Sequence, residues 1–323
     1  MRYLNEKNIT DLGTDWDEII DVIGRSTEVL RCEDYRQPLK PYLRYHDPRN
    51  RIIAMPAYLG GSIQSAGIKW IASFPGNIGK KLPRAHSVVI LNDPGTGVPL
   101  AVINTALLSG IRTAAVSGFV IEKYFQECCS NGRTLDCGIV GFGPIGQLHL
   151  QMLLDKFGSR IGTVFLYDLH GIGADIVRKY DADGKVVVMD NWIDVFNRSD
   201  LLITCTVSSF RYIDLPPEKN RLYINVSLRD FEVDFMRRVD VIIVDDWEEV
   251  CREDTDIERA HKGFGLKRDQ VLTMADLLDA KGLSSRSSSS IMFNPMGMAI
   301  FDMAIGKYYF ERAVSRRIGL ELI

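Results

Sequence analysis

The sequence predicts an α/β protein with two domains, a doubly wound parallel sheet and a smaller α+β domain. The first reason is length, because 323 residues exceed the size at which one hydrophobic core usually stops growing. The second is that near-continuous Val/Ile/Leu runs in the second half alternate with helical or loop segments, as parallel strands covered on both faces require. The third is that Gly and Pro separate short β-rich runs in the first half.

Composition and charge narrow the class of protein further. The chain is 46% hydrophobic and 25% charged, which is typical of a globular protein, and its net charge of -3 gives no basic field for nucleic acid. No run reaches the roughly 18 apolar residues that a membrane span needs, and the N-terminus lacks the pattern of a signal peptide. Cysteines without a CxxC pair and histidines without an HExxH pair indicate reduced thiols and no metal site. We therefore expect a cytoplasmic protein without a nucleic-acid or membrane partner.

The first domain, expected over residues 1–126, opens with a helix. Asp15 and Glu18 form a capping-box pattern, and apolar residues then recur at helical spacing to about Arg31. The sequence DPGTG at 93–97 predicts a hairpin turn, because Pro presets φ and Gly accepts positive φ. These elements indicate a helix with an antiparallel or mixed sheet, whose β-rich runs lie at 51–59, 66–73, 86–93 and 98–104.

The second domain is expected over residues 127–302. A helix at 109–125 and a polar turn, CSNGRT at 129–134, precede it, and a C-terminal helix at 303–323 is expected to return to the first domain. The serine-rich sequence at 284–290 predicts a polar surface loop, with a regulatory role as the alternative. The strand-like runs of the parallel sheet lie at 137–142, 163–167, 185–189, 200–206, 222–227 and 240–245.

A glycine-rich sequence, GFGPIG, lies between the first of these strands and a helical segment. Gly141 permits a tight turn, Gly143 lets the backbone approach a pyrophosphate, and Gly146 lets helix and strand pack closely. Pro144 and Ile145 open the helix, whose N-terminal N–H groups suit phosphate oxygens. This context predicts a Rossmann dinucleotide-binding domain, and a glycine turn without a ligand is the alternative.

The residues after two later strands are candidates to contact the cofactor. Asp168 closes a strand where a carboxylate can accept hydrogen bonds from both ribose hydroxyls and repel a 2′-phosphate, which favours NAD over NADP. The alternative is that Asp168 only caps the following turn. Thr206 and Val207 follow another strand at the edge where such sheets bind ligands, and they either line the nicotinamide ribose or only pack the strand end.

Three cations occur inside otherwise apolar segments of the first domain: Arg51, Lys69 and Arg112. Because an ionised amine is costly to bury without a partner, we expect an anion among them. The alternative is that each side chain extends to solvent.

These motifs carry a resemblance to a known family. In chain order, R-x3-MP, GxKW, LNDPxTGxPLA, RTAA, GFGxIGxxxL and PMGxAxxD resemble the ornithine cyclodeaminase/μ-crystallin family over nearly the whole chain. The resemblance implies that Arg51, Lys69 and Arg112 hold the carboxylate and amine of an amino-acid substrate, and that a homodimer forms through the first domain. Arg112 and Thr113 of the RTAA motif are also expected to contact NAD.

Within the family, QPLKPYLR at 37–44 and NPMGMAIFD at 294–302 are most similar to the group acting on N-((2S)-2-amino-2-carboxyethyl)-L-glutamate in 2,3-diaminopropionate biosynthesis, which serves siderophores and peptide antibiotics. The resemblance implies NAD-dependent oxidation to 2-oxoglutarate and L-2,3-diaminopropionate. Lys69 acts either as the base or as a charged ligand of a carboxylate. Lys40 and Arg44 are candidates for the substrate's further carboxylates, with a solvated basic loop as the alternative.

One departure from the family pattern concerns a catalytic aspartate. Cyclodeaminases and related alanine dehydrogenases place this residue in a G-G/S-D-x-x-G-K segment, whereas this chain reads NVSLRDFEVD. Leu228 occupies the Asp position and Asp230 is displaced by two, so cyclisation chemistry is in doubt. Asp230 remains a catalytic candidate, with a surface or capping carboxylate as the alternative. The competing functions are another amino-acid or imine oxidoreductase of the family and a μ-crystallin-like binding protein without turnover.

Overall fold

The computed structural model describes residues 1–129, 132–181, 183–279 and 282–322. The chain forms two compact units, Met1–Val116 with Gly297–Ile323, and Ser117–Met296. The domain limits expected at residues 126 and 303 lie further along the chain than the unit limits at residues 116 and 297. The assignment of substrate binding and dimerisation to one domain, and of NAD binding to the other, stays a prediction. Residues 130 and 131 of the expected linker lie outside the described residues.

The described residues contain the following regular elements. The strands are β1 (Arg2–Asn5), β2 (Tyr35–Arg36), β3 (Tyr42–Leu43), β4 (Arg51–Leu59), β5 (Ser65–Ser73), β6 (Ala85–Asn92), β7 (Pro99–Asn104), β8 (Leu135–Val140), β9 (Ile161–Tyr167), β10 (Val186–Val188), β11 (Leu201–Thr204), β12 (Arg221–Asn225), β13 (Val241–Val244), β14 (Leu272–Thr273), β15 (Ser290–Asn294) and β16 (Leu320–Glu321). The helices are α1 (Glu6–Leu12), α2 (Trp16–Arg31), α3 (Ala106–Cys128), α4 (Pro144–Phe157), α5 (Ala174–Tyr180), α6 (Trp192–Arg198), α7 (Val233–Arg238), α8 (Trp247–Val250), α9 (Asp256–Phe264) and α10 (Ala299–Ser315).

The first unit is built on a mixed sheet in the order β16-β1-β7-β6-β5-β4-β2, with β3 pairing β4. Its neighbours are antiparallel except β1 and β7, which are parallel, so the predicted sheet is confirmed as a mixed one. The four predicted β-rich runs correspond to β4–β7. The predicted helix that ends near Arg31 is confirmed as α2, where the Asp15 side chain accepts a hydrogen bond from the Glu18 N–H, but it does not open the domain because β1 and α1 precede it. The C-terminal helix differs from the prediction of 303–323: it is α10, which ends at Ser315, and Arg317 two residues later has a left-handed φ of +55°.

The two faces of the first unit's sheet differ in burial because successive side chains point to opposite sides. On one face Met55, Lys69 and Val89 lie side by side across β4–β6 and are buried, and α10 covers them. The other face is apolar but half-exposed, and its Trp70 side chain is 43% exposed. We call this second face the open sheet face; it comprises Ile52, Ala54, Pro56, Ile68, Trp70, Val88 and Ile90.

The second unit contains an all-parallel sheet in the order β10-β9-β8-β11-β12-β15-β13-β14. The doubly wound parallel sheet is therefore confirmed, and the six predicted strands are β8–β13. Sequence analysis missed β15, which lies centrally between β12 and β13. Ser290, the last residue of the predicted surface loop, is buried and opens this strand.

Candidate active site

The glycine loop between β8 and α4 requires glycine for two separate reasons. Gly141 has a φ of +91°, and a Cβ there would lie 2.7 Å from the Cys205 carbonyl carbon. A Cβ on Gly146 would lie 2.2 Å from the Gly141 carbonyl oxygen. A Cβ on Gly143 would meet no heavy atom within 4 Å, so the loop has open space at its middle glycine.

The surroundings of this loop supply N–H donors and one carboxylate. Helix α4 begins at Pro144 without a side-chain cap, so its first N–H groups are not used by its N-cap residue, Gly143. The half-buried Asp168 carboxylate, at the end of β9, accepts hydrogen bonds from the Phe142 N–H (2.7 Å) and the His170 N–H (2.9 Å). Asp168 thus both caps the turn and stands directly beside the glycine loop.

A buried carboxylate lies at the carboxyl ends of β11 and β12. Asp230 is fully buried and accepts hydrogen bonds from the Thr206 and Ser227 hydroxyls, each at 2.5 Å. Burial raises its pKa, although these hydroxyl donors act in the opposite direction. The surface-carboxylate alternative is therefore wrong, and the structure brings Asp230 together with Thr206. Val207, by contrast, is 63% exposed.

Leu228 occupies the position that the family pattern gives to a catalytic aspartate. Its side chain is buried, its φ is +62°, and its N–H donates to the Asn225 side-chain oxygen at 3.0 Å. No carboxylate stands at this backbone position, and Asp230 points to a different set of partners.

The first unit contains a buried cluster of two cations and one carboxylate, which we call the Lys69 cluster: Lys69, Arg112 and Asp302. The Lys69 Nζ donates to Asp302 Oδ2 at 2.7 Å, and the Arg112 Nε donates to Asp302 Oδ1 at 3.1 Å. Lys69 also donates to the Ser109 hydroxyl at 3.2 Å. Lys69 is 1% and Asp302 0% exposed, so the alternative in which Lys69 and Arg112 extend to solvent is wrong.

Sequence analysis did not single out Asp302. An anion was expected among the buried cations, and the chain itself supplies one in the Asp302 carboxylate. The indications were that Asp302 is the aspartate of the PMGxAxxD motif and that it lies in the otherwise apolar start of α10, AIFDMAIG. An apolar helix face rarely holds an unpaired carboxylate, so Asp302 required a cationic partner.

The protonation of the Lys69 cluster is set by burial and by its own charges. The pKa of Lys69 is lowered to about 7, chiefly by burial; Asp302 raises it, and Arg112 and Lys40 contribute to the lowering. Burial alone would raise the pKa of Asp302, but Arg112 and Lys69 lower it below its ordinary value. Asp302 is therefore ionised at neutral pH, whereas Lys69 gains and loses its proton there.

Further cations lie on the segment before β4 and at its start. Lys40 is buried and close enough to Lys69 to lower the pKa of Lys69. The alternative that Lys40 lies in a solvated basic loop is therefore wrong. Arg44 is exposed, with its guanidinium 4.8 Å from the Tyr42 ring centroid. Arg51 is half-buried 5.8 Å from the same centroid, and its buried Nε makes no hydrogen bond within the described ranges.

Thr113 and Gly297 both adjoin Arg112, the first along the chain and the second in space. The Thr113 hydroxyl donates to the Ser109 carbonyl inside α3 at 2.8 Å, and its contact with a cofactor stays a prediction. Gly297 has a φ of +89°, and a Cβ there would lie 2.9 Å from the Arg112 Nη1. Sequence analysis missed this constraint, because it depends on residues 185 positions apart in the chain.

Among the described residues, no group of three or more His, Cys, Asp or Glu side chains is arranged to hold a metal ion. In the same part of the chain, no helix combines the length and the hydropathy needed to cross a bilayer.

The parallel sheet and its glycine loop define a protein of the Rossmann dinucleotide-binding class. The model of the ornithine cyclodeaminase/mu-crystallin family matches residues 18–214, and the chain belongs to this family. The chain is 32% identical over 336 residues to the N-((2S)-2-amino-2-carboxyethyl)-L-glutamate dehydrogenase of Staphylococcus aureus. This alignment covers 100% of the chain and 98% of that protein.

Two solved structures share the fold over the entire chain. One is the Thermococcus litoralis Delta(1)-pyrroline-2-carboxylate reductase in complex with NADH and L-proline, with a TM-score of 0.85, 21% identity and coverage of 100% of both chains. The other is an archaeal alanine dehydrogenase dimer with bound NAD, with a TM-score of 0.82, 23% identity and coverage of 100% of this chain and 99% of that one. The two-domain α/β prediction agrees with both.

Proposed function

We propose that this chain is an NAD-dependent dehydrogenase acting on a CH–NH bond, and that its substrate is N-((2S)-2-amino-2-carboxyethyl)-L-glutamate. The observation that carries the proposal is the buried Lys69 cluster, with Lys40 beside it. The cluster holds two cations and one carboxylate, so it carries excess positive charge when Lys69 is protonated, which suits a substrate with several carboxylates. The full-length similarity to the staphylococcal dehydrogenase supports this substrate.

The residues of the second unit fit NAD. The open space at Gly143 and the uncapped start of α4 suit a pyrophosphate. A carboxylate has about four lone-pair sites, so Asp168 can accept from ribose hydroxyls while it keeps its two backbone donors. The cofactor held by these residues would supply the acceptor for the hydride that leaves the substrate carbon.

The residues of the first unit act on the amine and its carboxylates. Loss of hydride from the glutamate Cα places positive charge on nitrogen, so the amine must first be neutral. Because its pKa is lowered to about 7, Lys69 can be neutral near pH 7 and can accept that proton. Arg112 stays charged and binds a carboxylate, and Arg51 offers its unbonded Nε to another. Water then hydrolyses the imine to 2-oxoglutarate and L-2,3-diaminopropionate.

The proposal is tested by incubating the purified protein with NAD and the aminocarboxyethyl-glutamate adduct. We expect NADH absorbance and 2-oxoglutarate to increase in equal amounts. Turnover of alanine or ornithine instead of the adduct would contradict this substrate and favour another oxidoreductase of the family. Binding of NAD without turnover of any amine would contradict an enzymatic function and favour a binding protein.

The product class also suggests a biosynthetic context. We propose that the diaminopropionate supplies a siderophore or a peptide antibiotic, as the resemblance implies. Deletion of the gene should then abolish that product, and added L-2,3-diaminopropionate should restore it. Loss of the product without restoration by the amino acid would contradict this context.

Replacing Gly297 by alanine is expected to lower kcat/KM for the adduct by about tenfold or more. The added methyl would lie 2.9 Å from the Arg112 Nη1 and displace the guanidinium, which binds a carboxylate in the proposed function. Steady-state kinetics measures the effect. Gly265→Ala is the matched control, because Gly265 also has a positive φ (+79°) but has open space around its Cβ position. Equal kinetics for the two variants would contradict the prediction.

We propose that the open sheet face joins two copies of the chain in a homodimer. The face is apolar, half-exposed and formed by adjacent long strands, and apolar patches of this kind mark association surfaces. The archaeal alanine dehydrogenase of the same fold is a dimer.

Ile90→Glu is expected to convert the protein from dimer to monomer, because Ile90 lies in register with Ile68 on this face and a charge there cannot be buried at low cost. Sedimentation velocity measures the change. Val314→Glu is the control, since Val314 is an exposed apolar residue on α10. A variant at position 90 that remains dimeric would contradict this interface.

A further inference from the structure

Asp302 joins three separate elements of the first unit at one buried point. It lies in the first turn of α10, and its two oxygens accept one hydrogen bond each from Lys69 on β5 and Arg112 on α3. The three side chains are almost completely inaccessible to solvent. Asp302 is thus the carboxylate that both cations share away from solvent.

We propose that Asp302 is a positioning residue, which holds the Lys69 amine and the Arg112 guanidinium at a fixed separation and keeps Lys69 able to carry a proton. This inference rests on the proposed function, in which Lys69 accepts the amine proton and Arg112 binds a carboxylate. Asp302 itself acts through these two residues.

The geometry supports this assignment because a carboxylate is rigid. Its two oxygens point in fixed directions, so a donor on each oxygen fixes the distance between the donors. The start of α10 also favours a negative charge, because the helix N-terminus carries a partial positive charge. Without Asp302, two buried cations would repel each other, and one of them would move or lose its charge.

The charged groups around Lys69 determine the direction of the pH effect. Asp302 raises the pKa of Lys69, whereas burial, Arg112 and Lys40 lower it. The base form of Lys69 is neutral, so kcat/KM should rise with pH through about 7 and then become constant. Removing the negative charge at position 302 lowers the pKa of Lys69, so this rise must move to lower pH.

Two variants separate the charge of Asp302 from its geometry. In Asp302→Asn we expect the rising limb of kcat/KM to move to lower pH by about one unit or more, and kcat at the plateau to fall by about 100-fold. In Asp302→Glu the negative charge is kept but displaced by one methylene. We therefore expect the rising limb of kcat/KM to stay near its original pH, and kcat to fall because the two cations are displaced. The Lys69 Cε resonance in ¹³Cε-lysine-labelled protein, assigned with Lys69→Arg, reports the same midpoint without any substrate.

Asp256→Asn is the matched control, because Asp256 is also buried and ion-paired, with Arg211 in the second unit. We expect this variant to lose stability without moving the Lys69 midpoint. An unchanged Lys69 midpoint in Asp302→Asn, or a shift as large in Asp256→Asn, would overturn the inference. Should the original protein not oxidise the adduct, the proposed function fails, and the Lys69 resonance still decides the role of Asp302.

Discussion

Replacing Lys69 by alanine is expected to lower kcat for oxidation of the adduct by about a thousandfold and to leave the Kd for NAD nearly unchanged. Lys69 is the one proton acceptor proposed for the amine, and it belongs to the first unit, whereas the glycine loop and Asp168 belong to the second. Stopped-flow measurement of NADH formation gives kcat, and isothermal titration gives the affinity for NAD.

Two controls make this result specific to the chemistry of Lys69. Lys7→Ala removes an exposed lysine of the same unit and should leave both quantities unchanged. Lys69→Arg keeps the positive charge but cannot become neutral, so it should be as inactive as Lys69→Ala if Lys69 is the base. Substantial activity in Lys69→Arg would indicate that Lys69 only orients a carboxylate. A large loss of NAD affinity in Lys69→Ala would contradict separate binding of the two ligands.

Asp168→Asn is expected to raise the ratio of kcat/KM for NADP to that for NAD by about 100-fold. The carboxylate next to the glycine loop repels a 2′-phosphate and accepts hydrogen bonds from ribose hydroxyls, while the amide does neither as well. Initial rates with both nucleotides at saturating adduct measure the ratio. Asp175→Asn is the control, because Asp175 is an exposed carboxylate at the start of α5, paired with Arg178. An unchanged ratio would show that Asp168 does not contact the ribose.

The elements that sequence analysis predicted well are those with a strong local pattern. Strands β4–β7 have β-rich residues between Gly and Pro, and the glycine loop has its strand before it and its helix after it. In these segments local preference and tertiary packing agree. The strand β15 was missed because SIMFN is short and directly follows a polar serine run, so nothing local indicates that it lies in the centre of a sheet.

The candidate site was predicted only in part, for a related reason. Lys69 and Arg112 stood out because a charge in an apolar segment is unusual wherever it lies. Asp302 and Gly297 become important only through contacts with residues about 190 positions away in the chain, and such pairings are not visible in one sequence. Burial decided between alternatives that composition left open: Asp230 and Lys40 are inside, whereas Arg44 is outside.

The backbone conformation at Leu228 bears on how chemistry diverges among relatives of this chain. Left-handed φ values are tolerated by Asn and Asp better than by Leu, so this loop already has the shape that an acidic residue prefers. Exchange of this buried side chain for a carboxylate would cost about 2–5 kcal/mol of apolar packing, and desolvation of the carboxylate in addition, but it would not require the loop to be rebuilt. A backbone of one shape at position 228 thus suits both the leucine found here and the aspartate of the family pattern.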